Sequence, residues 1–480
     1  MDGTLAHRRA TAARGAAPRG RAWAAEARAT MALAWPIALT NLSGVALLLT
    51  DTMIVGRLGA EALAAVTIGS NLYWAVQAPT FGIALAAAPL LAQARGASRR
   101  TDGAARRGWM REMRRSARQA LWAVMALTLP TWALLWHAEA LLLAAGQQPA
   151  VAAMAADYLR AFMWGMPFFG AFIVLRGFLA AMEQPGPALL VAFGGVGANA
   201  LLVWSLVFGA FGAPRLGVAG AGLASFLVNL LMPLALLGLI ARDRRLRRFR
   251  LLGRLWRPDW PRFREVFRVG LPIAGQMWLE IGLFAGAALV VGLLGAVPVA
   301  AHAVAVQAAT ATFMVPLGIG QAATARVGLA AGAGDMPGAA LAGSVAVALG
   351  TAFMAVMAAG MVAGSGALPW LFLSAADPDA PAVAALGATL LVIAGLFQLA
   401  DGVQVVAAGA LRGLRDTRAP MLFAALGYWG IGLPVGLLLG FPLGLGAAGI
   451  WTGLAAGLLV VAALLLRRWR RLAGAPPAPG

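Results

Sequence analysis

The chain of 480 residues has no cysteine and three histidines, its 38 basic residues are all arginine, and only 12% of its positions are charged. Without a thiol there is no disulfide scaffold, no thiolate metal site, no cysteine nucleophile, and no cysteine clue to the redox compartment. His7, His137 and His302 stand far apart, which argues against a histidine metal centre. No DDxxD-type run is present to hold Mg²⁺ for prenyl or glycosyl transfer; Asp377 and Asp379, in a short outer loop, are the densest acidic pair. The scarcity of charge also excludes a soluble enzyme. With 61% hydrophobic residues, the chain holds more apolar surface than a soluble globule can bury.

What is there is a series of apolar runs long enough to cross about 30 Å of hydrocarbon. The 60 glycines and the Ala- and Leu-rich runs lack the short alternating strands of a porin, so the expected class is all-α. Hydropathy places spans at 31–55, 67–93, 116–137, 154–178, 187–210, 216–241, 268–293, 298–326, 340–365, 384–411, 420–440 and 446–466. Twelve transmembrane helices are therefore expected.

A net charge of +20 would suggest nucleic acid in a soluble protein, but the arginines here sort by side. Six fall between Arg8 and Arg28, nine between Arg95 and Arg118, and eleven between Arg242 and Arg268. Arg412, Arg415 and Arg418 follow span 10, and Arg467, Arg468, Arg470 and Arg471 follow span 12, whereas the opposite connections show only Arg57 and Arg215. The positive-inside rule then makes both termini cytoplasmic in a plasma or inner membrane, with no nucleic-acid partner. Residues 1–28 have no apolar core segment and read as a disordered basic tail, an organellar transit peptide being the alternative.

An offset of 236 residues aligns Pro36-Ile37-Ala38 with Pro272-Ile273-Ala274, Gly82-Ile83 with Gly318-Ile319, and Leu175-Arg176-Gly177 with Leu411-Arg412-Gly413. Pro and Arg matches at one constant offset mark a duplication of six helices. Since six is even, the copies run parallel and are expected as two lobes related by a pseudo-two-fold axis along the membrane normal. The expected organisation is a tail at 1–28, a first lobe at 29–241, an Arg-rich cytoplasmic linker at 242–267, a second lobe at 268–466 and a tail at 467–480. The linker, with Trp256 and Trp260, reads as a membrane-surface stretch held by anionic lipid.

Three carboxylates remain inside apolar spans: Asp51, Glu280 and Asp401. Each costs roughly 2.5 to 3.5 kcal/mol near a helix centre. Counted from the cytoplasmic ends, Glu280 lies about 18 Å up, Asp401 about 15 Å and Asp51 about 30 Å. Their repeat partners are Ala287, Gly44 and Gly165, so the acids break the symmetry of the duplication, as polar ties required by the repeat would not. Low dielectric favours the neutral form of a carboxyl, which can be reached by taking up a proton or by holding Na⁺. Among the other intramembrane polar residues, Gln276 lies one turn before Glu280, and Gln398, Asp401 and Gln404 form a stripe. These, with Asn199, Gln307 and Tyr428, are the candidates for lining a substrate cleft. His302 joins them, although its Ala-rich surroundings suit a packed histidine better than a proton relay.

The motifs LAWPIA at 33–38, TDT at 50–52, VGRLG at 55–59 and EALAAV at 61–66 resemble the multidrug and toxic compound extrusion (MATE) family, in its NorM-like branch. So do GLPIA at 270–274, VAAHAVA at 299–305, FMVPLGIGQAATARVG at 313–328, FQLADGVQVVAAGALRGLRDTRAP at 397–420 and GYWGIGLPVG at 427–436. The resemblance implies a monomeric twelve-helix antiporter without a cofactor, exporting organic cations in exchange for Na⁺ or H⁺, with no catalytic residues. It maps ion coupling onto Glu280 and Asp401, with that pair as the Na⁺ ligands if Na⁺ is the ion, and onto Asp51. The chain departs from the family where a second polar residue after Asn199 is replaced by Val203, which shifts the expected weight from Asp51 to the C-half pair. Competing readings are a major-facilitator transporter, whose charged motif is missing from GASRRTDGAARRG, a lipid-linked sugar flippase, a channel, and a polytopic membrane enzyme.

Overall fold

The computed structural model describes residues 19–100, 103–374 and 377–474. Twelve helices in it are long and apolar enough to cross a membrane. They are α1 (Gly20–Leu58), α2 (Ala60–Arg99), α3 (Gly108–Trp136), α4 (Pro149–Ala181), α5 (Gly186–Phe208) and α6 (Gly217–Arg242), then α7 (Trp260–Gly292), α8 (Ala296–Ala333), α9 (Met336–Ala363), α10 (Ala380–Gly413), α11 (Arg418–Gly440) and α12 (Gly446–Ala473). No strand occurs among the described residues. The chain is an integral, multi-pass, all-α membrane protein.

Each helix matches one expected span, but several run past it on the arginine-rich side. α1 begins well before residue 31, α7 at Trp260 rather than 268, and α12 continues to Ala473. Hydropathy sees only the segment that needs hydrocarbon, whereas arginine is a good helix former and lets the backbone ladder continue. The described part of the expected N-terminal tail is therefore helical, and Glu26 within it is clamped by Arg326 of α8 at 2.6 and 2.8 Å. Residues 1–18 and 475–480 of the two expected tails lie outside the described residues.

The helices divide into two compact units that exchange the N-terminal parts of the first helices of the two repeats. Unit 1 takes Met1–Ala38, Ala92–Trp109 and Leu279–Gly480, and unit 2 takes Leu39–Leu91 and Met110–Trp278. α1 and α7 are thus each cut a few residues after a proline at duplicated positions, Pro36 and Pro272, where the helix lacks a backbone hydrogen bond. The exchange is reciprocal. In unit 2 a Cβ on Gly82 of α2 would stand 2.5 Å from the Cα of Ala274 of α7; in unit 1 a Cβ on Gly318 of α8 would stand 2.7 Å from the Cβ of Ala38 of α1. These are the same two positions of the repeat with the copies interchanged. Gly82→Val and Gly318→Val are each expected to cost roughly 1 to 3 kcal/mol, because backbone must move to admit the side chain. Thermal unfolding in detergent reads this as a lowered midpoint.

The Arg-rich segment between α6 and α7 docks on α3 through its own carbonyls. The Trp122 indole donates to Leu255 O at 2.7 Å, Arg118 to Arg254 O at 3.2 Å, and Gln119 to Arg257 O at 3.3 Å. Asp259 pairs with Arg115, whose guanidinium holds the carboxyl below the usual carboxylate range. Asp259→Asn is expected to loosen this segment at neutral pH, giving several-fold faster tryptic cleavage after Arg254 with no loss of the helical core.

Candidate functional site

Around Asp51, five helices of unit 2 converge. Asp51 of α1 is 6% exposed, so it is an interior group rather than one reaching for the interface. Asn199 of α5 donates through Nδ2 to one carboxylate oxygen at 2.5 Å, and Ser225 of α6 donates its hydroxyl to the other at 2.9 Å. Tyr158 of α4 lies within electrostatic reach of the same carboxylate and shares a hydrogen bond at 3.3 Å with Ser70 of α2. Both oxygens accept from neutral donors, an arrangement that supports an ionised carboxylate without cancelling its charge. The polar residue expected after Asn199 is absent; Val203 is part of the surrounding apolar cluster, and Ser225 supplies the second donor from another helix. The N-half site is thus complete in a form the sequence reading did not foresee.

In unit 1, Glu280 of α7, Asp401 of α10 and Tyr428 of α11 lie within electrostatic reach of one another, and Arg412 of α10 within reach of Glu280 and Tyr428. The pair singled out from sequence is thus brought together from helices far apart in the chain. Tyr428 stands in a π-helical turn, Ala425–Gly432, just before Pro434. Proline offers no N–H to the carbonyl four residues back and its ring crowds that carbonyl, so the turn widens. The next residue, Trp429, donates its indole N–H to Leu279 O at 3.1 Å, and its ring lies against Gly282. Trp429 therefore holds the backbone on both sides of Glu280.

The remaining candidates fall in varied surroundings. Gln398, Asp401 and Gln404 are all buried, and Gln398 donates to Ala309 O at 3.2 Å and to the Thr312 hydroxyl of α8. In this state their stripe faces protein rather than an open cleft. His302 is buried, its Nδ1 accepting from the Trp451 indole at 3.1 Å, the packed arrangement its sequence context suggested. Gln276 is buried in unit 2, whereas Gln307 lies on an exposed face of α8. Among the described residues, no group of three or more His, Cys, Asp or Glu is placed to hold a metal ion.

Two kinds of polar residue around the acids escaped the sequence reading. One is arginine: Arg176 is 8% exposed and donates to Asn41 Oδ1 at 2.9 Å, and its repeat partner Arg412 lies within electrostatic reach of Glu280. Their recurrence at the 236-residue offset was the available signal. The other is tyrosine. Of the chain's three, Tyr428 was a candidate, and Tyr73 and Tyr158, which were not, are buried beside Asp51's network.

A sequence profile of the MatE family matches residues 36–205 and again 272–438, the two matches starting 236 residues apart (272 minus 36). The chain is 48% identical over 457 residues to a probable multidrug resistance protein NorM of Mesorhizobium japonicum, covering 95% of this chain and 96% of that protein. It is 44% identical to one of the same name from Brucella suis, covering 94% of each. Among solved structures, a eukaryotic MATE transporter superposes with a TM-score of 0.80 at 22% identity, covering 94% of this chain and 98% of the other. An outward-facing multidrug resistance MATE transporter gives 0.78 at 18% identity, covering 93% and 96%. With the family profile matched twice and close relatives aligned end to end, the chain belongs to the MatE family.

Proposed function

We propose that the chain is a secondary antiporter that exports organic cations in exchange for H⁺ or Na⁺, with both termini in the cytoplasm and anionic lipid against the Arg-rich linker. The observation that carries this reading is Glu280 within electrostatic reach of both Asp401 and Arg412 in one unit. Two ionised carboxylates and one guanidinium leave a single net negative charge, which favours one monovalent cation. A proton or Na⁺ on the pair cancels that charge, so coupling ion and cationic substrate compete for the cluster. Each buried charge is costly in low dielectric, and the neutralised cluster is the form that can reorient across the membrane. Asp51 forms a second, separate ionisable site in unit 2.

A one-for-one exchange of monovalent cations moves no net charge, so the ion's concentration gradient is the driving force: a tenfold gradient, about 1.4 kcal/mol, supports about a tenfold substrate gradient. The test is uptake of a cationic dye by everted vesicles under an imposed pH or Na⁺ gradient without ATP. Gradient-driven uptake supports antiport; uptake that requires ATP removes it.

A further inference from the structure

Beyond Ser70, helix α2 carries a file of polar side chains that the Asp51 network does not use. Ser70, Tyr73, Gln77 and Thr80 follow at i, i+3, i+7 and i+10 and so share one helix face. Tyr73 is 1% exposed, and Gln77 and Thr80 are 0% exposed. Yet the Tyr73 hydroxyl, both amide atoms of Gln77 and the Thr80 hydroxyl have no hydrogen-bond partner in the protein. Other span threonines, such as Thr67 and Thr128, bond the carbonyl four residues back; Thr80 does not. Buried polar atoms in native proteins are satisfied, and where protein supplies no partner, internal water does.

The file begins at the Asp51 network. Tyr73 stacks on Phe162 at 3.9 Å, and Tyr158, which bonds Ser70, tilts against the same ring at 5.5 Å. From Ser70 to Thr80 it descends about 15 Å, the same rise that separates Asp51 from Asn41 on α1. Asn41, where Arg176 docks, adds a further buried and unpaired amide nitrogen. The equivalent positions of the second repeat are Val306, Ala309, Phe313 and Pro316, so the fold itself does not require polar groups here.

We propose that water occupies this face of α2 and that the resulting file carries protons between Asp51 and the Asn41 level of unit 2. The inference rests on the antiport reading and assigns H⁺ as the ion exchanged at Asp51. Each helical turn offers one side chain, which suits a single file of water and not the several oxygens a metal cation gathers at one level. On release, the Asp51 O–H bond breaks and its electron pair stays on the carboxylate, held by Asn199 and Ser225. The proton forms a new O–H bond on the adjacent water, which passes one of its own along the file. Gln77, with a donor and an acceptor, orients water without itself transferring a proton.

The test uses the whole protein in proteoliposomes, with a lumenal pH dye reading proton movement driven by a cationic dye gradient. Gln77→Leu/Thr80→Val is expected to keep dye binding and to slow proton movement by roughly tenfold, less than the roughly 100-fold cost of losing a proton-transferring group. Thr80→Ser should retain the wild-type rate. Radiolytic labelling of the wild type, which marks side chains beside bound water, should oxidise Tyr73. A more heat-stable double variant with unaltered proton movement would overturn the proposal, as would an unlabelled Tyr73. A wild type that exchanges dye for Na⁺ but never for protons would overturn proton use at Asp51 while leaving antiport intact, and one driven by neither ion would remove the antiport reading itself.

Discussion

Glu280→Gln and Asp401→Asn should each collapse gradient-driven accumulation of a cationic dye, from about tenfold under a tenfold gradient of the driving ion to near unity. Each substitution keeps side-chain shape and removes one titratable group from a cluster whose net charge depends on it. Glu280 lies within electrostatic reach of both Asp401 and Arg412, so removing either titratable group stops the cluster alternating between a form that attracts a cation and a form that does not. For Asp401→Asn stability should not fall, because it removes a buried charge whose charged neighbour is the like-charged Glu280. Unfolding midpoints at or above the wild-type value, with uptake lost, separate this outcome from misfolding. Undiminished gradient-driven uptake in both variants would move ion coupling elsewhere.

Asp51→Asn is expected to be nearly as damaging to transport, with the site's hydrogen bonds kept. The new amide accepts from Asn199 through its oxygen and donates its NH₂ to the Ser225 hydroxyl, which can accept as well as donate, so only the charge is lost. This variant should therefore melt at or above the wild-type midpoint while uptake is lost. Ser225→Ala removes one donor and leaves the charge, and should retain partial uptake. If Asp51→Asn transports normally, the N-half network is a structural tie.

The spans, the duplication and the three acids were legible in the sequence because each is a departure from a strong background. A carboxylate among leucines stands out, and a proline at a fixed offset cannot be a composition accident. The partners of Asp51 were not legible, for a physical reason. Serine and threonine in spans mostly bond their own helix, as Thr50 does to Ala46 O and Ser205 to Leu201 O, so nothing marked Ser225 as the exception. Arg412 was counted with the cytoplasmic arginines that follow span 10, and Arg176 only as its repeat match; Arg176 is instead buried against Asn41, and Arg412 reaches Glu280. The helix exchange was hidden for another reason. An internal repeat gives the offset between equivalent residues, and says nothing about whether Gly82 meets its own copy's alanine or the other copy's.

The most direct measurement is ion release on substrate binding by purified protein. The detergent-solubilised wild type, saturated with a cationic dye in weak buffer, should release close to one proton or one Na⁺ per dye bound, and Glu280→Gln/Asp401→Asn should release none. Equal release from both proteins, or dye binding with no ion release from the wild type, would contradict the exchange of cations at the buried acids.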